Sequence, residues 1–395
     1  TYAVFTAKHE EGMMNFATSA TNYTIEASPF CAARRAVGRS CDLVAEFLAS
    51  CDKYNVTRGL YYTRFNNHCQ ATNVSGGKCE EMLVAAFNDL ATHYGPIGQF
   101  WFDHGNELFL KSIETHQPSA SILGREWTLV GTEGGYVLEG ADTMWYPAYP
   151  MGTSNTTANT YLARQCDTSP STSGWFWHPG AGPKYNASAA VDLFYLQCIG
   201  LGAGLIVNLP PSTAGVVEPP FSRFAAAFGA EADRRFGANA RIAGTAPGVT
   251  ATLLTTRGPL NDDIELVWPS AEVVAAVLIR EDLATGQRVA AYALDALMGQ
   301  PTGAKTWSPI GAGSTVGTAR IWWYDGVTGP TPAFRAPWVG GGVIRNCFGV
   351  RFRPLATVGG DGAVHIAELT VFSNHTVSSG GSMSPWVFPD ETTKQ

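Results

Sequence analysis

The stretch "FWFDHG" at residues 100–105 places an aspartate directly after three aromatic residues. An apolar run of this kind is typical of a buried strand, here bounded by His104 and Gly105. A buried charge costs several kcal/mol unless a partner compensates it. Two explanations therefore stand for Asp103. It caps the helix that follows, or it carries out chemistry at the mouth of a pocket.

Other strand-like runs also end in polar side chains. In a parallel barrel the strand ends meet at one face, where catalytic groups lie. The polar residues that follow the runs are Lys8, His9, Arg64, His68, Asp103, His104, Glu133, His178 and Asn208. Aromatic residues of the same segments include Tyr61, Tyr62, Phe65, Trp101 and Trp175. Rings beside carboxylates suit a sugar, because its C–H faces stack on rings and its hydroxyls bind charged groups.

Asp103 and Glu133 are the two carboxylates that this pattern favours for chemistry. They are 30 residues apart, about one βα unit, so they should converge on one side of the pocket. Two carboxyl groups are the minimum apparatus for cleaving a glycoside. One must be protonated and the other ionised, which burial and neighbouring charges can arrange. No nucleophile elbow and no Ser-His-Asp order competes with this interpretation.

The elements that must position these residues alternate between strands and helices up to about residue 235. The predicted strands are Tyr2–Thr6, Thr57–Thr63, Gly98–Phe102, Trp127–Val130, Met144–Tyr146, Gly174–Trp177 and Leu205–Leu209. This alternation favours an α/β fold with parallel strands. Seven strands predict a (β/α)8-like TIM barrel whose first strand is missing. An open doubly wound sheet is the alternative, but no G-x-G-x-x-G follows any strand.

From about residue 240 the pattern changes to short runs with β-type alternation, which predicts an all-β sandwich. The predicted domains are a catalytic barrel over residues 1–235 and a C-terminal β-sandwich over residues 236–395. The sandwich is either carbohydrate-binding or structural. Trp322 and Trp323 would be surface residues in the first case and core or interdomain residues in the second.

Composition excludes several classes of partner. The net charge is −7 without a basic tract, so nucleic acid and anionic membranes are poor partners. No apolar run approaches the roughly 20 residues of a membrane span. Only 15% of the residues are charged. Six N-x-[ST] sequons begin at Asn22, Asn55, Asn73, Asn155, Asn186 and Asn374. Together these features favour a secreted protein.

The eight cysteines fit no zinc spacing. Cys69 and Cys79 flank a polar, glycine-containing loop and form the best predicted disulfide. Cys198 lies in an apolar helical run, where a buried free thiol is an equal alternative. The chain has neither an initiator Met nor a signal peptide, so we expect that an upstream segment has been removed.

Six ordered motifs carry a resemblance to a known family. They are "TAKHEEGM", "GLYYTRFNNH", "HYGPIGQFWFDHG", "VGTEGG", "GWFWH" and "LIVNLPPSTAG". Their order and spacing resemble the family 29 glycoside hydrolases, the α-L-fucosidases. The segments "EDLATGQRVAAY" and "WSPIGAGSTVGTARI" are similar to the C-terminal sandwich of the plant-type subgroup.

The resemblance implies a retaining exo-α-L-fucosidase that uses no metal or cofactor and acts on fucosylated glycans or oligosaccharides. It implies Asp103 as the nucleophile and Glu133 as the acid/base, with Glu139 as the rival acid. Sugar contacts are implied for His9, Glu10, Phe65 and His68. Tyr62, Trp101 and Trp175 are the aromatic residues predicted to complete the site.

The chain departs from the family motifs at several positions. Glu10 replaces a second histidine, Phe65 replaces a stacking Trp, and Tyr149 stands where many relatives have Glu. The Arg that usually precedes the G-W-F-Y-H motif is lost. Relatives also carry an upstream F-G-[IL]-F-x-H-W-G strand, so a separate N-terminal segment of the same precursor is expected to complete the barrel.

Two further functions stay open at this stage. A non-catalytic fucose-binding protein is the alternative from another class, and the substitution at Glu10 would be its first indication. A retaining exo-glycosidase for another sugar is the third, because barrels with paired acids serve many substrates. Turnover of an aryl fucoside separates the first two.

Overall fold

The computed structural model describes residues 2–103, 106–123, 127–129, 133–137, 163–242, 263–282, 288–324, 343–357, 364 and 366–373. Contacts divide the chain into two compact units. The first comprises residues 1–131 and 151–167, and the second comprises residues 132–150 and 168–395. This division falls inside the predicted catalytic domain, and the predicted boundary at residue 235 stays a prediction. No helix in the described ranges is long and apolar enough to cross a membrane.

The first unit contains parallel strands joined by helices. Its strands are β1 (Tyr2–Lys8), β2 (Thr57–Tyr62), β3 (Gln99–Phe102), β4 (Ser121–Ile122), β5 (Trp127–Leu129) and β6 (Ala163–Thr168). Its helices are α1 (Pro29–Ala36), α2 (Leu43–Tyr54), α3 (Asn67–Ala71), α4 (Gly76–His93) and α5 (Leu110–His116). Strands β1 to β4 form one sheet in chain order, and β5 pairs with β6 in parallel. The predicted parallel α/β architecture is confirmed to this extent.

The register of β2 against β3 decides which side chains share a face. Tyr61 pairs with Trp101, and Tyr62 pairs with Phe102. Because side chains alternate along a strand, Tyr61 and Trp101 lie on one face and Tyr62 and Phe102 on the other. The second face packs on α4 through Phe87, whose ring lies 5.3 Å from that of Tyr62. This face is the core of the unit, and the first face is the one that can carry a site.

Two local disulfides tie the connections of the first unit. Cys69 pairs with Cys79, as predicted, and Cys31 pairs with Cys41. Cys198 is also disulfide-bonded, so the alternative of a free thiol is wrong for it. Cys51 and Cys347 are free and buried.

The second unit joins a short α/β part to an antiparallel sheet. It contains α6 (Ala187–Ala190), β7 (Ala203–Val207) and α7 (Pro219–Phe236). The sheet is built from β8 (Ile264–Glu281), β9 (Val289–Gly299), β10 (Lys305–Gly313), β11 (Arg320–Trp323), β12 (Ile344–Thr357) and β13 (Ile366–Ser373). Its order is β10-β9-β12-β8-β11, and β13 also pairs with β8. The predicted all-β C-terminal region is confirmed in this coarser form, as an antiparallel sheet.

One of the predicted strands was wrong, and two strands were missed. Gly174–Trp177 is a turn rather than a strand, because Gly174 has a φ of +76° and breaks the extended backbone. The predicted apolar helical run around Cys198 is helical: α6 continues directly into a π-helical turn (Val191–Tyr195), and a 3-10 turn (Ile199–Leu201) follows and ends at Gly202 in a left-handed conformation. Strands β4 and β6 were missed because β4 has two residues and β6 is largely polar. Met144–Tyr146 lies outside the described residues.

Trp322 and Trp323 belong to the interior of the second unit. The Trp322 side chain is buried, and its indole donates to the Tyr292 hydroxyl at 2.9 Å. Trp323 packs against Phe236 with ring centres 5.5 Å apart. These contacts support the structural interpretation of both residues.

Candidate active site

Asp103 lies one residue past the end of β3, and its side chain is exposed. It shares a face with Trp101 and with Tyr61 of the neighbouring strand. The Tyr61 hydroxyl donates to Asp103 Oδ2 at 2.8 Å, and the Tyr61 ring stacks on Trp101 at 5.4 Å. Burial, together with this hydrogen bond, holds the pKa of Tyr61 far above its ordinary value. Strand β3 is buried, but the Asp103 carboxylate emerges at its end and accepts a hydrogen bond from the Tyr61 hydroxyl.

His9 follows β1 directly and adds a charge next to Asp103. Its ring stacks on Tyr61 with centroids 5.6 Å apart, and its Nδ1 lies 3.3 Å from Glu11 Oε2. The hydrogen bond to Glu11 raises the pKa of His9, helped by the charges of Glu10 and Asp103 and opposed by burial. Burial is the largest influence on Glu11 and would raise its pKa, but the bond to His9, a backbone hydrogen bond and the charges of His9 and Lys8 together lower that pKa. The pair therefore favours an imidazolium beside the Asp103 carboxylate.

Glu10 lies in the turn between His9 and Gly12 and is half-buried. Its carbonyl accepts from Asn67 N at 2.7 Å, which links this turn to the loop after β2. Gly12 has a φ of +94°, and a Cβ there would come within 2.2 Å of Asn66 Oδ1. The turn thus requires glycine, and the contact of Glu10 with a sugar stays a prediction.

Lys8 is fully buried and stabilises the same loop. Its Nζ donates to the Thr63 carbonyl at 2.7 Å and also to the Phe65 carbonyl. Burial lowers the pKa of Lys8 to about 8, against the opposing charges of Glu11 and Glu10. Lys8 is therefore a positioning group for the loop rather than a group that meets substrate.

The loop after β2 carries Phe65 and His68. The Phe65 side chain is 43% exposed, which leaves part of its ring accessible for stacking. His68 lies in α3 and stacks on Tyr23 at 3.9 Å. Arg64 is held by ion pairs with Glu107 at 2.9 Å and Glu80 at 3.2 Å. The structure thus collects the predicted loop residues at the carboxyl ends of β1 to β3.

Tyr62 is not placed where it could contact a substrate. Its ring has no exposed surface, and its hydroxyl donates to the Leu83 carbonyl at 3.1 Å. The prediction of a substrate contact was wrong for this residue, because strand alternation turns Tyr61 toward Asp103 and Tyr62 toward the helices. Trp101 is 8% exposed, and its indole donates to Gln165 Oε1 at 3.1 Å.

Glu133 belongs to the second unit and is exposed on a loop. Its φ of +49° is left-handed, a conformation that costs a non-glycine residue energy and clusters at functional sites. Trp175 Nε1 donates to Glu133 Oε2 at 2.9 Å. The predicted acid and the predicted aromatic residue are thus hydrogen-bonded to each other.

Asn208, which follows β7, anchors Trp175 in turn. Its Nδ2 donates to the Trp175 carbonyl at 2.7 Å and lies 3.2 Å from Ser169 Oγ. Ser169 Oγ also donates to the Gly174 carbonyl, so the turn before the indole is fixed on two sides. The polar residue at the end of β7 therefore supports the segment that carries Trp175.

Several residues singled out in the sequence give no further geometry. His104, Glu139 and Tyr149 lie outside the described residues, and His178 is exposed in a turn. The region that is described holds no cluster of three or more potential metal ligands. A cavity lined by Cys51, Arg58 and Gly98 lies where β2 and β3 begin, at the edge opposite Asp103. It contains none of the predicted site residues.

Sequence reasoning missed the two groups that contact the site residues most directly. The sequence pattern indicates Tyr61 only as one of several aromatic residues of the strand segments, and it gives no role to Glu11. The signal for Glu11 was its place two residues after His9. The choice between Tyr61 and Tyr62 required the strand register, which the sequence did not show.

Comparison with known proteins shows which family the chain belongs to. A model of the alpha-L-fucosidase family matches residues 1–231. The chain is similar to Alpha-L-fucosidase 1 of Arabidopsis thaliana, with 24% identity over 365 residues that cover 80% of this chain and 69% of the relative. It is also similar to the structure of a Ruminococcus gnavus GH29 fucosidase in complex with fucose. That match has a TM-score of 0.71 at 19% identity and covers 94% of this chain and 82% of that chain.

A candidate alpha-L-fucosidase structure from Bacteroides ovatus matches with a TM-score of 0.71 at 20% identity, over 98% of this chain and 66% of that chain. The shared fold combines a parallel α/β part with an antiparallel β part, as in glycoside hydrolases of this type. Because the family model covers more than half of the chain, the chain belongs to the alpha-L-fucosidase family, glycoside hydrolase family 29. It spans about two thirds of the length of the Arabidopsis and Bacteroides proteins.

Proposed function

We propose that this chain hydrolyses terminal α-L-fucosides with retention of configuration, with Asp103 as the nucleophile and Glu133 as the acid/base. The observation that carries the proposal is the Tyr61–Asp103 hydrogen bond at the carboxyl ends of parallel strands, in a chain of this family. An exposed, oriented carboxylate in this place suits attack on an anomeric carbon.

The reaction has two displacement steps. In the first, Asp103 Oδ forms a bond to the anomeric carbon as the glycosidic C–O bond breaks, and Glu133 transfers its proton to the leaving oxygen. In the second, Glu133 takes a proton from water as the water oxygen attacks the anomeric carbon, which releases fucose and frees Asp103. Retention requires the two carboxyl groups at about 5–5.5 Å.

The remaining site residues serve fucose binding in this proposal. The His9 imidazolium beside Asp103 is suited to donate to a sugar hydroxyl, and its stacking on Tyr61 fixes its plane. Trp101 and the exposed ring of Phe65 offer apolar surface for the sugar, and His68 and Glu10 offer polar groups. Fucosylated glycans or oligosaccharides are the proposed substrates.

The chain is further proposed to be secreted. Six of its eight cysteines are disulfide-bonded, which suits an oxidising compartment. The separate N-terminal segment of the precursor also stays a prediction.

Hydrolysis of an aryl α-L-fucoside, followed by proton NMR of the first sugar released, tests the function. The α-anomer of fucose should appear first and then mutarotate. Binding of fucose without turnover would favour the fucose-binding alternative, and release of the β-anomer would exclude a covalent path. A structure with bound fucose should bring Asp103 and Glu133 to the separation that retention requires, whereas a distance above about 9 Å would exclude Glu133.

A further inference from the structure

Glu133 needs an external group to orient its carboxylate. The residue is exposed and lies in a left-handed turn, so backbone packing alone does not fix the side chain. Trp175 Nε1 donates to Oε2 at 2.9 Å, which ties one of the two oxygens. The other oxygen, Oε1, is the one left to exchange a proton.

The chemistry of the indole makes this bond selective. An indole N–H donates and never accepts, so the oxygen that faces it must accept. In a neutral carboxyl group the carbonyl oxygen accepts a hydrogen bond better than the hydroxyl oxygen does, so the bond from the indole favours Oε2 as the carbonyl oxygen and Oε1 as the protonated one. When the proton leaves, the same N–H stabilises the carboxylate that remains.

Trp175 is itself held in place. Asn208 fixes its carbonyl, and Ser169 fixes the carbonyl of Gly174 just before it. By contrast, the buried Nε1 of Trp177, two residues further on, has no hydrogen-bond partner within the described ranges. The two indoles of this short segment therefore differ in whether the N–H has an acceptor.

We propose that Trp175 is a positioning residue for proton transfer: its N–H directs the transferable proton to Oε1 of Glu133. This inference rests on the proposed function. The proton on Oε1 passes to the glycosidic oxygen as the C–O bond breaks, and a water proton returns to Oε1 as the new C–O bond forms. The role differs from sugar stacking, which needs the ring of Trp175 and not its N–H.

Leaving-group dependence separates the two roles. Trp175→Phe keeps an aromatic ring but removes the N–H, and kcat/KM is measured on 2,4-dinitrophenyl and phenyl α-L-fucoside. The phenyl substrate requires protonation of its leaving group, so its rate should fall roughly ten- to hundredfold. The dinitrophenyl substrate needs no acid and should stay within about twofold of wild type. The inhibition constant of free fucose should not change.

Trp177→Phe is the matched control, because it removes an indole N–H that donates to no described acceptor. It should leave the ratio of the two rates as in wild type. Equal losses of Trp175→Phe on both substrates, with weaker inhibition by fucose, would overturn the proposal in favour of stacking. A changed ratio in Trp177→Phe as well would overturn it in favour of general damage to the segment.

Asn208→Ala provides a second variant if Trp175→Phe does not fold, which circular dichroism would reveal. It loosens the indole without removing it, so the phenyl fucoside should again lose more rate than the dinitrophenyl fucoside. An unchanged ratio would overturn the proposal. A wild-type protein that turns over neither substrate would refute the proposed function itself, whereas an active wild type with unchanged ratios in the variants refutes only the role of Trp175.

Discussion

The two proposed catalytic carboxylates lie in differently built surroundings. Asp103 directly follows a strand in the middle of a four-stranded sheet, and its hydrogen-bond donor comes from the neighbouring strand. Glu133 lies on a loop in a left-handed conformation, and its donor comes from a turn. The proposed nucleophile is thus placed by sheet geometry, whereas the proposed acid/base is oriented by a single side chain.

The charges around the two carboxylates also differ. The His9–Glu11 pair lies near Asp103, and His9 interacts electrostatically with the Asp103 carboxylate. The described partner of Glu133 is an uncharged indole. We therefore expect changes near Asp103 to affect all substrates alike, and changes near Glu133 to depend on the leaving group.

The largest effect is expected for Asp103→Ala, because it removes the covalent path. The rate should fall on the order of 10⁴- to 10⁶-fold on good and poor leaving groups alike. Steady-state kinetics on the two aryl fucosides measures this. Asp52→Asn is the control, since Asp52 is 62% exposed and lies before β2 begins. An Asp103→Ala protein that keeps substantial activity would remove Asp103 from the mechanism.

Glu133→Ala should show the contrasting behaviour. Activity on phenyl fucoside should fall by about 10²–10⁴-fold, because no acid protonates the leaving oxygen. Formation of the fucosyl-enzyme from dinitrophenyl fucoside should be largely spared, and added azide should accelerate turnover by replacing water. Near wild-type rates on natural glycans would show that another residue, with Glu139 the first to test, is the acid.

For Lys8 the expected effect is on the pH dependence of the free energy of unfolding. Its pKa falls from 10.5 to about 8 on folding, so between these values the unfolded chain binds more protons. Stability therefore rises with pH across this window, by about 3 kcal/mol for a shift of this size. The free energy of unfolding in urea, compared between wild type and Lys8→Met at pH 7.5 and pH 10, measures it. If the difference in unfolding free energy between the two proteins were the same at both pH values, the pKa of Lys8 would not fall on folding.

Tyr61→Phe removes the donor to Asp103 and keeps the ring. A hydrogen bond to a charged group of this kind should be worth about tenfold in kcat/KM. The loss should be equal on phenyl and dinitrophenyl fucosides, unlike that of Trp175→Phe. A loss confined to the phenyl substrate would break the proposed contrast between the two carboxylates.

The smallest effect is expected for Glu11→Gln. Because the bond to Glu11 raises the pKa of His9, its loss should lower that pKa, as an NMR titration of the His9 ring would show. Because the pKa of His9 is higher in the folded state, His9 stabilises the fold fully at pH values below its ordinary pKa. That stabilisation is lost as the pH rises through the raised pKa of the folded state. The variant should therefore lose stability mainly at acidic pH. An unchanged His9 titration would mean that Glu11 is not its partner.

Much of the Asp103 region could be predicted from the sequence. Three aromatic residues before Asp103 predicted the buried strand, and the alternation of runs predicted the parallel sheet. The hydrogen-bond donor to Asp103 could not be predicted, because "YY" at residues 61–62 does not show which ring faces Asp103 and which faces the helices. That choice follows from the register against β3, which depends on tertiary packing.

The Glu133 region was less accessible to prediction. The segment "GWFW" has the aromatic content of a strand, but Gly174 adopts a left-handed backbone and the aromatic residues fold into a turn. Strand β6 was missed because its buried residues Arg164, Gln165 and Asp167 give no apolar pattern. A strand whose buried side chains are polar, because they serve a site or a hydrogen-bond network, shows no hydrophobic periodicity in the sequence.

The two local disulfides have a consequence for how the chain reaches its fold. Eight cysteines that paired at random would have 105 fully bridged arrangements. Cys31–Cys41 and Cys69–Cys79 each close a loop only 10 residues apart in sequence, so little chain entropy opposes them. Both pairs can form as soon as their segments emerge during synthesis, before Cys166, Cys198 and Cys347 are available as wrong partners. Early local closure thus removes four of the eight cysteines as wrong partners for Cys51 and Cys347, the two that are free and buried in the fold.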